Sequence, residues 1–167
     1  MLDFILIKYK IKSFIQKYHI LDSDRDIIKC KCCNVISPFG REINKFKDSK
    51  QHRLNIKYSE NLIELINNFE NYINEFDDFK EYDLVSNIIR NNKYGDIIRF
   101  HLKTNNNNTT TIFKHINKDN IEIANWIDYQ IDKKINIDFH PDCLWIDEKN
   151  KKYGISFIID TVYQKKS

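Results

Sequence analysis

Two halves of a tetrahedral metal site can be read from the chain. Cys30-x-x-Cys33 and His140-x-x-Cys143 each have the internal spacing of a ligand pair, and four nitrogen and sulfur donors suit Zn²⁺. Two features argue against that set. Lys31-Cys32 supplies neither the Gly nor the Pro that turns a zinc knuckle, and in a strand over 27–36 Cys30 and Cys33 would point to opposite faces. Free cysteines also serve as small buried hydrophobes, so the chain is read as needing no metal and no other cofactor. Catalytic constellations are equally thin. His52 lies near Asp48 and Ser49, but no nucleophile motif or spaced carboxylate pair accompanies it. His19, His101, His115 and His140 share no spacing, and three glycines leave little from which to build a phosphate cradle. Glu60, Glu64, Glu70, Asp77 and Asp78 read as the solvated face of a helix. The expectation is a protein that is not an enzyme.

Cationic residues make the stronger pattern. Lys29 and Lys31 fall on the outward face of one expected strand, Arg53 and Lys57 on another, and Arg99, His101 and Lys103 on a third. Arg41, Lys45, Lys47 and Lys50 stand in the segment between the first two. Single-stranded nucleic acid needs positive charge along its phosphates and exposed rings under its bases. Arg41, Lys45, Lys47, Arg53, Lys57, Arg99 and Lys103 are the candidate backbone contacts. Phe46 is the candidate stacking ring, with Tyr94 second. The plainer reading is that these Lys and Arg residues only solvate strand faces. Trp145 is assigned to the core or a barrel rim, and Trp126 is left unassigned.

The elements that must position these groups are mostly strands. Ile135, Ile137 and Phe139 alternate with Asn136 and Asp138, the period-two mark of a half-buried strand. After the polar turn 147–152, Ile155, Phe157 and Ile159 share one face, so 135–146 and 153–163 form a closing hairpin. Residues 27–36 and 53–58 read as strands, with a polar, basic loop over 41–51 between them. Ile98, Phe100 and Leu102 start a middle hairpin that turns at Asn105–Asn108, since Asn tolerates left-handed backbone angles, and returns over the β-branched segment 109–116. Ser59 is an N-cap type, and Leu62, Leu65, Ile66, Phe69, Ile73 and Phe76 trace one helical face. A weaker helix is expected over 82–90. Residues 2–20 fit a short helix or a strand pair, and 120–131 a strand or a short helix. The fold class is mainly β with helices, α+β, arranged as a small closed barrel with one amphipathic helix at about 60–76. Residues 1–167 form a single domain in which 1–26 are an N-terminal extension.

Composition sets the outer limits. Of the 167 residues, 41% are hydrophobic and 31% charged, which suits a globular domain able to bury its own core. The net charge of +3 and pI near 8.5 permit a nucleic-acid partner without demanding one. The apolar stretch 2–7 is short and followed by Lys8, Lys10 and Lys12, unlike a signal peptide. No segment has the apolar length of a membrane span. Four cysteines at 30, 32, 33 and 143 do not resemble a secreted disulfide framework. An intracellular or packaged protein with reduced thiols is expected, with no membrane partner.

Several short blocks resemble a known family. Ser37-Pro38-Phe39-Gly40-Arg41-Glu42, the nearby Asn44-Lys45-Phe46 and Leu54-Asn55-Ile56 are similar to the first half of the phage-type single-stranded-DNA-binding proteins of the nucleocytoplasmic large DNA viruses. There, too, an acidic amphipathic helix follows, as Asn61–Phe76 does here. Leu144-Trp145, the polar turn and Tyr153-Gly154-Ile155-Ser156-Phe157 resemble that family's ending, and the Ile-, Asn- and Lys-rich composition is similar to that of mimivirus-like genomes. The resemblance implies an OB-type barrel that binds single-stranded DNA, with RNA as the alternative strand, in replication, repair or recombination. It implies viral replication or virion proteins as partners, in the viral factory of the host cytoplasm or inside the virion. One departure stands out. Replicative members end in an acidic tail, whereas no acid follows Asp160 here. The pattern expected of a divergent paralogue, reused as a virion or assembly subunit, is of this kind.

Overall fold

The computed structural model describes residues 3–12, 14–46, 49–57, 59–90, 93 and 95–166, with backbone alone for 44–46, 49 and 77. Strands dominate, and one helix packs against them. In chain order the strands are β1 (Ile5–Lys12), β2 (Ile15–Leu21), β3 (Cys30–Ile36), β4 (Arg41–Phe46) and β5 (Ser49–Lys57). Helix α1 (Glu60–Asn74) is followed by β6 (Asp83–Leu84), β7 (Ile88–Ile89), β8 (Ile97–Leu102), β9 (Thr104–Asn105) and β10 (Asn108–Thr109). β11 (Ile112–Asn117), β12 (Asn120–Ile123), β13 (Lys134–Asp147) and β14 (Lys152–Lys165) complete the chain.

The closing hairpin, expected from its alternation, is the axis of the molecule. β13 and β14 pair antiparallel along almost their whole length. Asp147 closes their turn by accepting from the backbone N–H and the side-chain amide of Asn150. Each long strand changes its second neighbour partway along. β13 pairs with β3 through Phe139 and with β2 from Cys143 onward. β14 pairs in parallel with β8 at Ile158 and Ile159, then with β11 from Thr161 to Lys165. The register slips at both changes, leaving Asp142 and Asp160 as the extra, bulged residues. A bulge bends its strand and raises the local twist, so the sheet forks there. Thr111 holds the fork: its hydroxyl accepts from Lys103 N–H at 2.7 Å and donates to the Ile159 carbonyl at 2.7 Å.

The main path runs β1–β2–β13–β14–β8–β5–β4, with edges at β1 and β4 among the described residues, so it does not close into a barrel. One face of it is apolar. Leu54, Ile56, Ile98, Phe100, Leu144, Ile155 and Phe157 are buried there beneath α1, whose Leu62, Ile66, Phe69 and Ile73 are fully buried. Phe69 meets Phe157 edge-on at 5.5 Å and stacks on Phe4 at 5.9 Å. The helix face is the one its 3.6-residue spacing predicts. Ser59 stands at the N-cap, yet its hydroxyl makes no capping bond, and its carbonyl accepts from Ile63 instead.

Three expected segments are corrected, and two open alternatives are decided. Residues 41–51 are not a loop but most of the β4–β5 hairpin, because Gly40 at φ +69° turns the chain back into a strand. Residues 82–90 are not helical. They fill the gap between β14 and β8 as β6 and β7, held by Glu70, which accepts from Ser86 hydroxyl and Asn87 N–H and is therefore buried rather than solvated. The middle hairpin shrinks to β9–β10 around Asn106 and Asn107 at positive φ; β8 and β11 pair with β14, not with each other. Residues 5–21 take the strand-pair alternative, and β2 joins this pair to the main sheet along β13. Residues 120–131 hold both candidate elements, β12 and then one 3₁₀ turn over Trp126–Asp128. Phe69→Ala removes the ring joining α1 to Phe4 and Phe157, and should cost about 3–5 kcal/mol in urea unfolding.

Candidate functional site

The face of the sheet opposite α1 is polar and cationic, because the core residues Leu54, Ile56, Ile98 and Phe100 of β5 and β8 alternate with Arg53, Asn55, Arg99 and His101. Cross-strand register makes a row of Glu42, Arg53, His101, Ile158 and His140 across β4, β5, β8, β14 and β13. A neighbouring row pairs Asn55 with Arg99, and another pairs Lys10, Lys17, Trp145 and Gly154. Three cations, Arg53, Arg99 and Lys17, act on His101, which burial and their charge together hold down at about 4. Burial and the field of Arg99 likewise lower Arg53.

These arginines are poorly neutralised. Arg53 donates to the Gln51 amide oxygen at 2.9 Å, and Glu42 is the acid near it, with its carboxylate accepting from Asn55 at 3.1 Å. Among the described residues no acid forms an ion pair with Arg53 or Arg99, and the Nε of each is buried without a hydrogen-bond partner. Like charges gathered on a half-buried surface disfavour one another, and an anion placed between them would relieve that cost.

Rings border the same face. Tyr9 and His19 stack at 3.9 Å, beside Cys143 in register with His19. Trp145 lies across Gly154 so closely that a Cβ there would come within 2.6 Å of its ring. Gly154 is thus required for the position of the indole, not for a turn.

The expected contact residues divide. Arg53 and Arg99 converge, and Lys57 shares their face at the exposed end of β5. Lys103 turns away to Asp160, at 2.6 Å, where His140 Nδ1 also donates at 2.8 Å. Arg41 lies on the other side of β4, with its guanidinium 5.7 Å from the Trp126 ring centre and donating to Thr109 at 3.2 Å. His52, buried beside it, donates Nε2 to the Asn107 carbonyl at 3.0 Å and accepts from the Thr109 hydroxyl, which pins the β9–β10 turn. Lys45 and Phe46 belong to β4 by backbone, but their side chains lie outside the described residues, as Lys47 and Tyr94 do entirely.

The four potential zinc ligands do not assemble, and no cluster of three or more metal-ligating side chains occurs among the described residues. Cys30 pairs in register with Phe139, three residues from the exposed Cys33. Cys143 sits past the bulge, where β13 has moved to β2. Burial pushes the Cys30 thiol up to about 11 and also raises Cys143, opposing the thiolate a metal would need. Lys17 and the Tyr9–His19 stack have no place in the expected set, since residues 2–20 have no assigned partner in the sheet there, and Trp145 is assigned there to the core or a barrel rim. No protein-family model matches the chain, and no curated protein matches it significantly.

Two predictions follow from this face. His101 should titrate near pH 4 by NMR, and Arg99→Ala should move its midpoint upward. Because its folded value lies below the unfolded one, stability should fall as pH drops from about 6.5 toward 4 and be flatter in His101→Gln. Gly154→Ala should displace the indole, shift tryptophan emission and cost about 1–3 kcal/mol.

Proposed function

We propose that this chain is a non-enzymatic, single-stranded nucleic-acid-binding protein that uses the outer sheet face. The observation that carries the reading is the gathering of Arg53, Arg99 and Lys17 around His101 without a paired carboxylate among the described residues. A phosphodiester backbone offers the distributed negative charge this surface lacks, and the bordering Trp145 and Tyr9 rings suit stacked bases. The resemblance of the blocks at 37–46 and 144–157 to phage-type single-stranded-DNA-binding proteins of large DNA viruses supports DNA as the strand and replication, repair or recombination as the setting. It also supports an OB-like reading of the strand–helix–strand core. A site in the viral factory or the virion follows from the same resemblance.

A second reading has its own observation. Ile121, Ile123 and Ile127 are 58%, 79% and 85% exposed at the free edge beside β12. Such a surface suits an assembly subunit that meets other proteins. Among the described residues no helix is long and apolar enough to cross a membrane.

Fluorescence anisotropy with a labelled single strand of roughly 30 nucleotides, against a duplex control, tests the first reading. Micromolar or tighter binding that prefers the single strand and weakens steeply with salt is expected. Arg53→Ala and Arg99→Ala should each weaken it and lower the salt slope by ~0.7 per lost phosphate contact. Absence of binding at low salt would leave the assembly reading.

A further inference from the structure

The fork in the sheet opens a cavity of about 500 Å³ that the outer-face site does not use. Its base is where β14 leaves β8 for β11, so the bulged Asp160 is aimed into it. The carboxylate is fixed from two sides, by Lys103 at 2.6 Å and by His140 at 2.8 Å. Asp138, whose carboxylate accepts from the Tyr163 hydroxyl at 3.0 Å, and Thr161 complete the polar lining. The walls are apolar and unusually open: Ile27 is 54% exposed and Ile112 41% exposed, while Phe139 is fully buried behind them. Lys29 and Lys31 stand exposed at the rim. Aliphatic walls, a fixed hydrogen-bond acceptor and rim cations within one cavity match the parts of a single nucleotide.

We propose that this cavity takes one unstacked nucleobase bearing an exocyclic amino group, with Asp160 as the residue that reads it, an assignment that rests on the single-strand reading above. The bound part of a strand on the outer face lies close by, because His140 continues the row of Arg53, His101 and Ile158. A carboxylate accepts from an amino group such as cytosine N4. Thymine and uracil present a carbonyl oxygen at that position, which would set two acceptors against each other. Lys29 and Lys31 then serve the flanking phosphates, and Ile27 and Ile112 the faces of the ring. Asp160 is a specificity residue in this account, and the phosphate contacts of Arg53 and Arg99 are indifferent to the base.

Anisotropy with labelled dC, dT and dU 12-mers at one salt concentration tests the proposal, the dU strand separating the methyl group from the carbonyl. The unmodified protein should bind the dC strand roughly ten-fold more tightly than either other strand, the discrimination one well-placed base-edge contact provides. Asp160→Asn should bring the three within about two-fold while still binding. Equal affinity for the three strands in the unmodified protein, or a preference that survives Asp160→Asn, overturns the assignment. Should Asp160→Asn not fold, as judged by circular dichroism, the unmodified protein is titrated with dCMP and dUMP while the His140 ring resonances are followed. Movement with dCMP alone supports the site, and no difference overturns it. Failure of all three strands to bind is a separate result that removes the single-strand reading, and the mononucleotide titration then decides the cavity by itself.

Discussion

The structure depends on the β13–β14 ladder and on its two register slips. Fourteen residues in each strand are more than one pair of neighbours can cover in a twisted sheet. Each strand therefore serves successive partners, β3 then β2 along β13, and β6, β8 and then β11 along β14. Without the bulges, the alternation of one half would put its apolar residues on the wrong face of the other half. With them, Phe139 and Leu144 both reach the core although five positions separate them, an odd spacing that a regular strand would send to opposite sides. Asp142 and Asp160 are the residues left over by that correction, and their polarity suits positions with no place in either face.

The outer face gains its character from the same arrangement. Pairing β2 to the second half of β13 brings Lys17 across to the region of Arg53 and Arg99. Three cations are then grouped on half-buried backbone, and a histidine between them is kept neutral. Such grouping costs stability in the free protein through mutual repulsion and desolvation. The fold tolerates it because the opposite face is a continuous apolar core joined by Phe69, Phe100, Phe139 and Phe157. A surface at which stability is given up in this way is a natural candidate for binding.

Local periodicity made much of this legible. The closing hairpin, the face of α1 and the outward set of Arg53, Arg99 and His101 all follow from alternation within one element. Non-local pairing did not. Ile98–Leu102 and Thr109–Ile116 look like a hairpin because an Asn-rich turn joins them, yet β14 captures both, and Thr111 bridges the split. Residues 82–90 carry apolar positions that fit a helix, but Glu70 supplies acceptors for an extended segment from across the core. A buried carboxylate on a helix has no signature in local sequence. Lys17 could enter the candidate site only once β2 was known to lie beside β13.

Two of the sheet's edge strands, β1 and β12, are protected to different degrees, and the difference bears on how the two functional readings relate. An exposed strand edge invites pairing with another chain, and lysines commonly block it. β1 carries Lys8, Lys10 and Lys12, a repulsive edge beside the cationic face. β12 has the sequence Asn-Ile-Glu-Ile, with a single acid and with Ile121 and Ile123 open to solvent. It lies beyond β11, on the far branch of the fork from β8 and β5. A protein partner seated along β12 would therefore leave Arg53 and Arg99 uncovered. The surfaces proposed for strand binding and for assembly lie on different branches of one sheet, which leaves one chain room for both.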